Sequence, residues 1–270
     1  VVDLLMALPV TPLDFLFLGF ALVIGAGLGS FSTALIHRLP RGISIVCAKG
    51  SASRSECPKC HHQLSLRDLI PVVSWVFSRG KCRYCQSQIS KTYPLTELAT
   101  ALLCGVFYCL YGQSALSVVL IMMAPILISI IVIDAHHMII PNVLNLGVAL
   151  GALAMLIYTS LGLSNYFAQN LILESAAGAI SFGGIAYFLR FIFTQVYKKE
   201  ALGLGDVKFF GAVGFWLGAS ILPYFMMIGG FLGVVYAISR KKFSGKDSFP
   251  FGPALVCAFI ILIIAKKSIF

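Results

Sequence analysis

Residues 115–133, ALSVVLIMMAPILISIIVI, run for nineteen positions without one charged side chain. That length matches the roughly 20 residues an α-helix needs to cross the hydrocarbon core of a bilayer, and it exceeds any buried strand. Seven further segments read the same way, so that apolar windows place helices over residues 15–36, 95–111, 115–133, 143–163, 171–197, 202–219, 221–238 and 249–265. The polar stretch 164–170 separates the fourth from the fifth, and Gly203 and Gly205 interrupt the short sixth. With 59% hydrophobic and 11% charged residues, an ordinary soluble domain is excluded. The apolar runs are continuous rather than alternating, which excludes a transmembrane β-barrel. The expected fold is therefore an all-α polytopic membrane protein of about eight transmembrane helices.

Basic residues orient it. Residues 38–93 carry ten Lys and Arg against Glu56 and Asp68, which by the positive-inside rule places this segment in the cytoplasm and the N-terminus outside. With eight spans, 17 of the 20 basic residues fall on the cytoplasmic side, Lys266 and Lys267 fall outside, and Arg190 lies within a span. Although the formal net charge is +10, the cations are scattered between apolar segments rather than gathered with aromatics on one face, so no nucleic-acid partner is expected. No Lys or Arg precedes the first span, only Asp3 and Asp14, so it lacks the basic start of a cleavable signal peptide and is expected to stay in the mature protein. The organisation expected is residues 1–37 as a first transmembrane helix, 38–93 as a small cytoplasmic domain and 94–270 as a transmembrane domain. The chain shows no internal repeat, and Gly25, Gly27 and Gly29 are expected to serve close helix packing.

Within the basic segment, Cys57-Pro58-Lys59-Cys60 and Cys82-Arg83-Tyr84-Cys85 form two C-x-x-C pairs. Two intervening residues let the chain turn so that both thiolates of a pair face one ion, and two such pairs complete a tetrahedral, closed, structural site of zinc-ribbon type. Disulfides or free thiols are the alternative, weakened by the reducing cytoplasm. The segment has few aliphatic residues, and bound metal would supply a reason for it to fold. His61 and His62 are read as solvated surface, and Cys47, Cys104, Cys109 and Cys257 as small apolar packing residues.

Four carboxylates lie in or at the edge of later apolar segments: Glu97, Asp134, Glu174 and Asp206. Such groups are costly there and are functional candidates. The basic-residue topology puts Asp134 and Asp206 at the cytoplasmic ends of their helices. Two carboxylates within reach of each other share a proton, one acting as base and the other as acid, which suits activation of water against a peptide carbonyl. Gly203 and Gly205 would let an extended substrate approach Asp206. The structural alternative makes Asp134 the N-cap of the following helix and Asp206 either a partner of Lys208 or a cap of its own helix. Glu174 is read as a solvated or helix-end residue, and His136 and His137 as interfacial.

The order of motifs adds a resemblance. Gly29-Ser30-Phe31, Arg38-Leu39-Pro40, the two cysteine pairs, Ser74-Trp75, Gly80-Lys81, Tyr93-Pro94 with Glu97, Ile133-Asp134, Gly203-Leu204-Gly205-Asp206-Val207-Lys208 and Phe251-Gly252-Pro253 resemble the bifunctional type IV prepilin peptidases of bacteria, which belong to the GxGD class of intramembrane aspartyl proteases. The resemblance implies an inner-membrane endopeptidase. It would cut the basic leader from type IV prepilins and type II secretion pseudopilins, and N-methylate the new terminal residue with S-adenosylmethionine. It implies Asp134 and Asp206 as the catalytic pair, with Gly203, Gly205 and Lys208 as the surrounding motif. Cys57, Cys60, Cys82 and Cys85 become zinc ligands, and Glu97 falls in the region associated with methyl transfer, as does the cysteine-bearing segment. Asn142 is a departure, since many members carry Asp after the corresponding proline. The competing class is a transporter or channel with a zinc-bound regulatory loop, its aspartates binding an ion at a broken helix.

Overall fold

Residues 11–43, 56–57, 59–198, 202–244 and 249–266 are described by a computed structural model. Eight apolar helices follow the sequence reading: α1 Pro12–Arg38, α2 Thr92–Tyr111, α3 Ala115–His137, α4 Asn142–Leu161, α5 Asn165–Tyr197, α6 Leu204–Leu217, α7 Leu222–Ser244 and α8 Gly252–Lys266. No strand forms among the described residues, and six helices are long and apolar enough to cross a membrane. The chain is thus a multi-pass membrane protein. It divides into two compact units, Val1–Ser129 and Ile130–Phe270, with α3 contributing to both.

Three differences from the sequence reading have physical causes. At 14 and 15 residues, α6 and α8 extend roughly 21–23 Å and are too short to cross a bilayer alone. The apolar character of α6 reflects burial in protein instead, for Val207, Phe209, Phe210, Ala212, Val213, Gly214 and Leu217 are all buried. Helix α5 also begins at Asn165, with Ser164 as N-cap, and so absorbs most of the stretch expected to be a loop. Glu174 consequently lies inside α5 beside Gly218, so of the two expected readings the helix-end one does not hold, whereas its exposure accords with the solvated one.

In the first unit, α1 starts at a capping box, where the Asp14 N–H bonds Thr11 Oγ1 at 3.2 Å and the Thr11 N–H bonds Asp14 Oδ2 at 3.0 Å. Its buried residues, Ala21, Gly25, Gly29, Ser32 and Leu35, form one stripe at helical spacing, while Phe15, Phe20, Val23 and Ile24 face outward, as apolar side chains do against lipid. The stripe meets α2 so closely that a Cβ on Gly25 would lie 2.8 Å from Ala101 Cα, and one on Gly29 would lie 2.6 Å from Glu97 Cα. Gly27 has open space around it and takes no part in this packing, contrary to the expectation for all three glycines. Pro125 lacks the N–H that would occupy the Ile121 carbonyl, and the buried Cys104 thiol bonds that carbonyl at 3.8 Å. Cys104 is thus a packing residue with one polar duty. Cys257 faces outward from α8 rather than packing inside, and Cys47 lies outside the described residues.

In the second unit α6 is the central element, packed on α4 and α5. Gly178 and Gly183 of α5 meet Gly214 and Gly211 of α6, and the absent side chains let the two backbones touch. Phe182 and Phe210 both pack on Phe225, with ring centroids 5.3 and 5.1 Å away, and Trp216 donates from its indole N–H to the Val148 carbonyl of α4 at 2.9 Å. These contacts fix the axial position of α6, and hence of the aspartate in its first turn.

Candidate active site and metal centre

The metal candidate belongs to the first unit. Each cysteine pair is wrapped in the same backbone pattern. The Cys57 carbonyl accepts from the His61 N–H at 2.9 Å and the Cys57 N–H donates to the His62 carbonyl at 3.0 Å. The Cys82 carbonyl accepts from the Gln86 N–H at 2.9 Å, and the Cys82 N–H donates to the Ser87 carbonyl at 2.8 Å. His61 and Gln86 sit at the same place in the two turns and both adopt left-handed backbone, φ 54° and 59°. Glu56 bridges to Gln63 as Lys81 does to Gln88. The two turns are one seven-residue repeat, Cys-x-x-Cys-x-x-Gln, which escapes a reading of the sequence because it is so short.

The four ligand sulfurs lie within 4.8 Å of one another, and Cys57 Sγ is 3.8 Å from Cys85 Sγ. A tetrahedral zinc site with bonds of about 2.3 Å has sulfur–sulfur edges of about 3.8 Å, so the donor set fits that ion. Backbone N–H groups, that of Cys60 foremost, draw the Cys57 thiol down to about 6, and the Ser87 hydroxyl draws Cys85 down as well. Both effects favour thiolates at Cys57 and Cys85, whereas burial and these neighbouring sulfurs push Cys60 up to about 11. His61 and His62 are exposed, His61 facing Glu56 at 3.5 Å and His62 stacking on Tyr84 with ring centroids 3.7 Å apart, so neither completes the ligand set.

Beside this centre the Trp75 ring covers Gly80 and its indole N–H reaches the Ile89 carbonyl at 3.3 Å. Upstream, the Val72 backbone has φ 61° and ψ −49°, a rare strained turn closed by the Val73 N–H on the Pro71 carbonyl at 2.6 Å. Buried Glu97 meets it, its carboxylate accepting the Val72 N–H at 2.7 Å, and it has no basic partner among the described residues.

The two aspartates belong to the second unit. Asp134 lies in the last turn of α3, 4% exposed, and its Oδ2 accepts the Gly252 N–H at 2.7 Å. Gly252 opens α8, where a helix start leaves N–H groups unpaired, and Pro253 follows with none to offer. A side chain at Gly252 would come within 2.7 Å of that same oxygen, so glycine is required. Asp134 is not an N-cap, since α4 begins after Pro141.

Asp206 lies in the first turn of α6, where its Oδ2 accepts the Gly203 N–H at 3.1 Å and so caps its own helix. Its other oxygen is buried without a hydrogen-bond partner among the described residues. Lys208 does not reach Asp206 and instead donates to Asn142 Oδ1 at 2.7 Å, giving the Asn that departs from the family pattern a definite contact. Gly205 lies against the link between α3 and α4, where a Cβ would be 2.9 Å from the Ile140 carbonyl. Asn145 of α4 donates to the Gly205 carbonyl at 2.9 Å, and Arg240 of α7 to the Ala135 carbonyl at 3.0 Å. These contacts set the start of α6 against the end of α3, and the two carboxylates lie within electrostatic range. His136 turns back to the Val132 carbonyl at 2.8 Å and both it and His137 are exposed. Gly252, Asn145 and Arg240 carry no signal of their own as site residues in the sequence, although Phe251-Gly252-Pro253 contributes to the resemblance.

Residues 23–111 match the Bacterial Peptidase A24 N-terminal domain, and residues 121–238 match the Type IV leader peptidase family. The chain is 38% identical, over 75% of its length and 72% of the relative's, to the type 4 prepilin-like proteins leader peptide-processing enzyme of Escherichia coli O78:H11. It is 34% identical to the prepilin leader peptidase/N-methyltransferase of Stutzerimonas stutzeri, covering 92% of each chain. The enzyme of that name from Neisseria gonorrhoeae is 32% identical, over 92% of this chain and 91% of its own. No solved structure matches. With two matched domains in series and relatives aligned over nearly their full length, the chain belongs to the type IV leader peptidase family.

Proposed function

We propose that the chain cuts the basic leader from type IV prepilins and type II secretion pseudopilins at the cytoplasmic face of the inner membrane, and then N-methylates the new terminal residue. The observation that carries the peptidase reading is the pair of aspartates in the last turn of α3 and the first turn of α6, each held by a backbone N–H through one oxygen. One carboxylate takes a proton from water as its oxygen attacks the scissile carbonyl, and the other gives a proton to the departing nitrogen as the C–N bond breaks. Gly203, exposed beside the Asp206 carboxylate, leaves the approach open for an extended segment, whereas Gly205, expected to do the same, instead lets the start of α6 sit against Ile140. The excess of basic residues over 38–93 supports a cytoplasmic cysteine segment and an outside N-terminus. A single apolar helix with a basic leader would then present its cleavage junction at the depth of the aspartates. Transport sites lie near the bilayer midplane, whereas Asp134 lies in the last turn of the 23-residue α3, which disfavours the transporter reading.

Cys57, Cys60, Cys82 and Cys85 would hold a structural zinc that closes the loops of the first unit. Methyl transfer uses S-adenosylmethionine and needs a neutral amine, which exists only after cleavage, so the order of the two reactions is forced. Buried Glu97, which has no basic partner among the described residues, is the carboxylate of the first unit suited to accept the amine's proton as the N–CH3 bond forms.

The test uses the purified full chain in detergent with a prepilin. Asp134→Asn and Asp206→Asn each lower cleavage by about a thousandfold or more while insertion is unchanged. Glu97→Gln still cuts but leaves the new terminus unmethylated. Substantial cleavage by either Asn variant removes the dyad.

A further inference from the structure

Among the described residues of the second unit, two buried side-chain oxygens accept no hydrogen bond: Asp206 Oδ1 and Asn145 Oδ1. Leaving such atoms unpaired is costly, and the two are not independent. Asn145, 5% exposed in the first turns of α4, donates its Nδ2–H to the Gly205 carbonyl at 2.9 Å, and that carbonyl belongs to the peptide bond leading into Asp206. Turning the amide over would set its oxygen against the Gly205 oxygen, so the orientation is fixed by chemistry. The same turn of α4 also holds Lys208 through Asn142, so the stretch carrying Asp206 is gripped on both sides by one helix start. Neither orphaned oxygen has more than 1 Å² of accessible surface, which leaves no room for a water beside them.

We propose that Asn145 is a positioning residue of the peptidase site. Its amide N–H holds the Gly205–Asp206 peptide and so sets where the Asp206 carboxylate stands, a bond kept although the amide oxygen then goes without a partner among the described residues. This rests on the reading of Asp206 as a peptidase carboxylate.

The experiment is steady-state cleavage of a prepilin by the full chain in detergent, with Asn145→Leu, Asn145→Ala, Asn145→Thr and Asp206→Asn compared side by side. Methyl transfer to a pre-cut peptide and the melting temperature report folding. Asn145→Leu, close in size to Asn but apolar, should lower kcat about ten- to hundredfold with KM changed by less than about twofold. The smaller Ala variant is read in the same way if the Leu variant does not fold. Asn145→Thr, whose hydroxyl can still donate to the Gly205 carbonyl, should regain part of the lost rate. A folded Leu or Ala variant with wild-type kcat overturns the proposal, as does a loss confined to KM or a Thr variant no faster than Leu. Retained cleavage by Asp206→Asn overturns the peptidase reading itself, whereas an inactive Asp206→Asn beside a fully active Asn145→Leu overturns this inference alone.

Discussion

In the first unit the four thiols stand on two loops that each close upon themselves, with the Cys57 and Cys82 carbonyls and N–H groups bonded to residues four and five positions on. In the second unit Asp134 and Asp206 stand on different helices, and Asp134 is fixed by an N–H 118 residues away. The cysteine cluster is therefore a local construction repeated twice, which spacing alone can specify. The aspartate site is a tertiary construction, which exists only once α3, α4, α6 and α8 have packed. A local site fails when its ligands or metal are removed, whereas a tertiary site fails when any packed helix is displaced.

Removing a ligand should have the largest effect on the first side of this contrast. Wild type should hold about one zinc per chain. Cys57→Ser, or exhaustive chelation, should abolish metal binding and expose residues 59–90 to protease. Leader cleavage should fall only indirectly, because the aspartates stand on α3 and α6 and not on the cysteine loops. A metal-free protein as protease-resistant as wild type would show that no metal holds these loops together.

Displacing one helix start by one methyl group should have the next effect. In Gly252→Ala the new Cβ would lie 2.7 Å from Asp134 Oδ2, and the contact cannot form without moving α8 or the carboxylate. Cleavage should fall about ten- to hundredfold, while methylation of a pre-cut peptide is unchanged. A wild-type rate would show that the Gly252 N–H does not position Asp134.

What is legible in the sequence follows the same division. Eight apolar segments, the C-x-x-C pairs and both aspartates are readable because each is a contiguous or regularly spaced pattern. The Gly252 contact is not, since a donor that is a backbone N–H carries no side-chain signature. Asn145 is equally silent, being a polar residue near a helix start whose bond reaches the Gly205 carbonyl 60 residues away. The early start of α5 is hidden because Ser164 and Asn165 look like a loop until Ser164 is seen as the N-cap. The burial of α6 is hidden as well, because apolarity looks the same whether lipid or protein surrounds a helix.

The smallest effect expected is at Asp68. The Ser65 hydroxyl, followed by the Ser65 N–H, Arg83 and Tyr84, holds its carboxyl below the ordinary range. A folded value below the unfolded one contributes stability above about pH 4, and the contribution is lost as pH falls through the folded value. Asp68→Asn should cost less than about 1 kcal/mol, and its melting temperature should converge with wild type in acid. An unchanged difference at low pH would mean that the charge is not what Asp68 supplies.

On the proposed reading, cleavage and methyl transfer belong to separate sites, one at the aspartates and one about Glu97, and one variant puts that separation at risk. Asp206→Asn is given two substrates, a full-length prepilin and a peptide already cut at the junction, each with S-adenosylmethionine. Separate sites require no product from the prepilin and, on the pre-cut peptide, the mass gain of one methyl group at the wild-type rate. A folded Asp206→Asn protein that cuts the prepilin, or that fails to methylate the pre-cut peptide, would refute the separation.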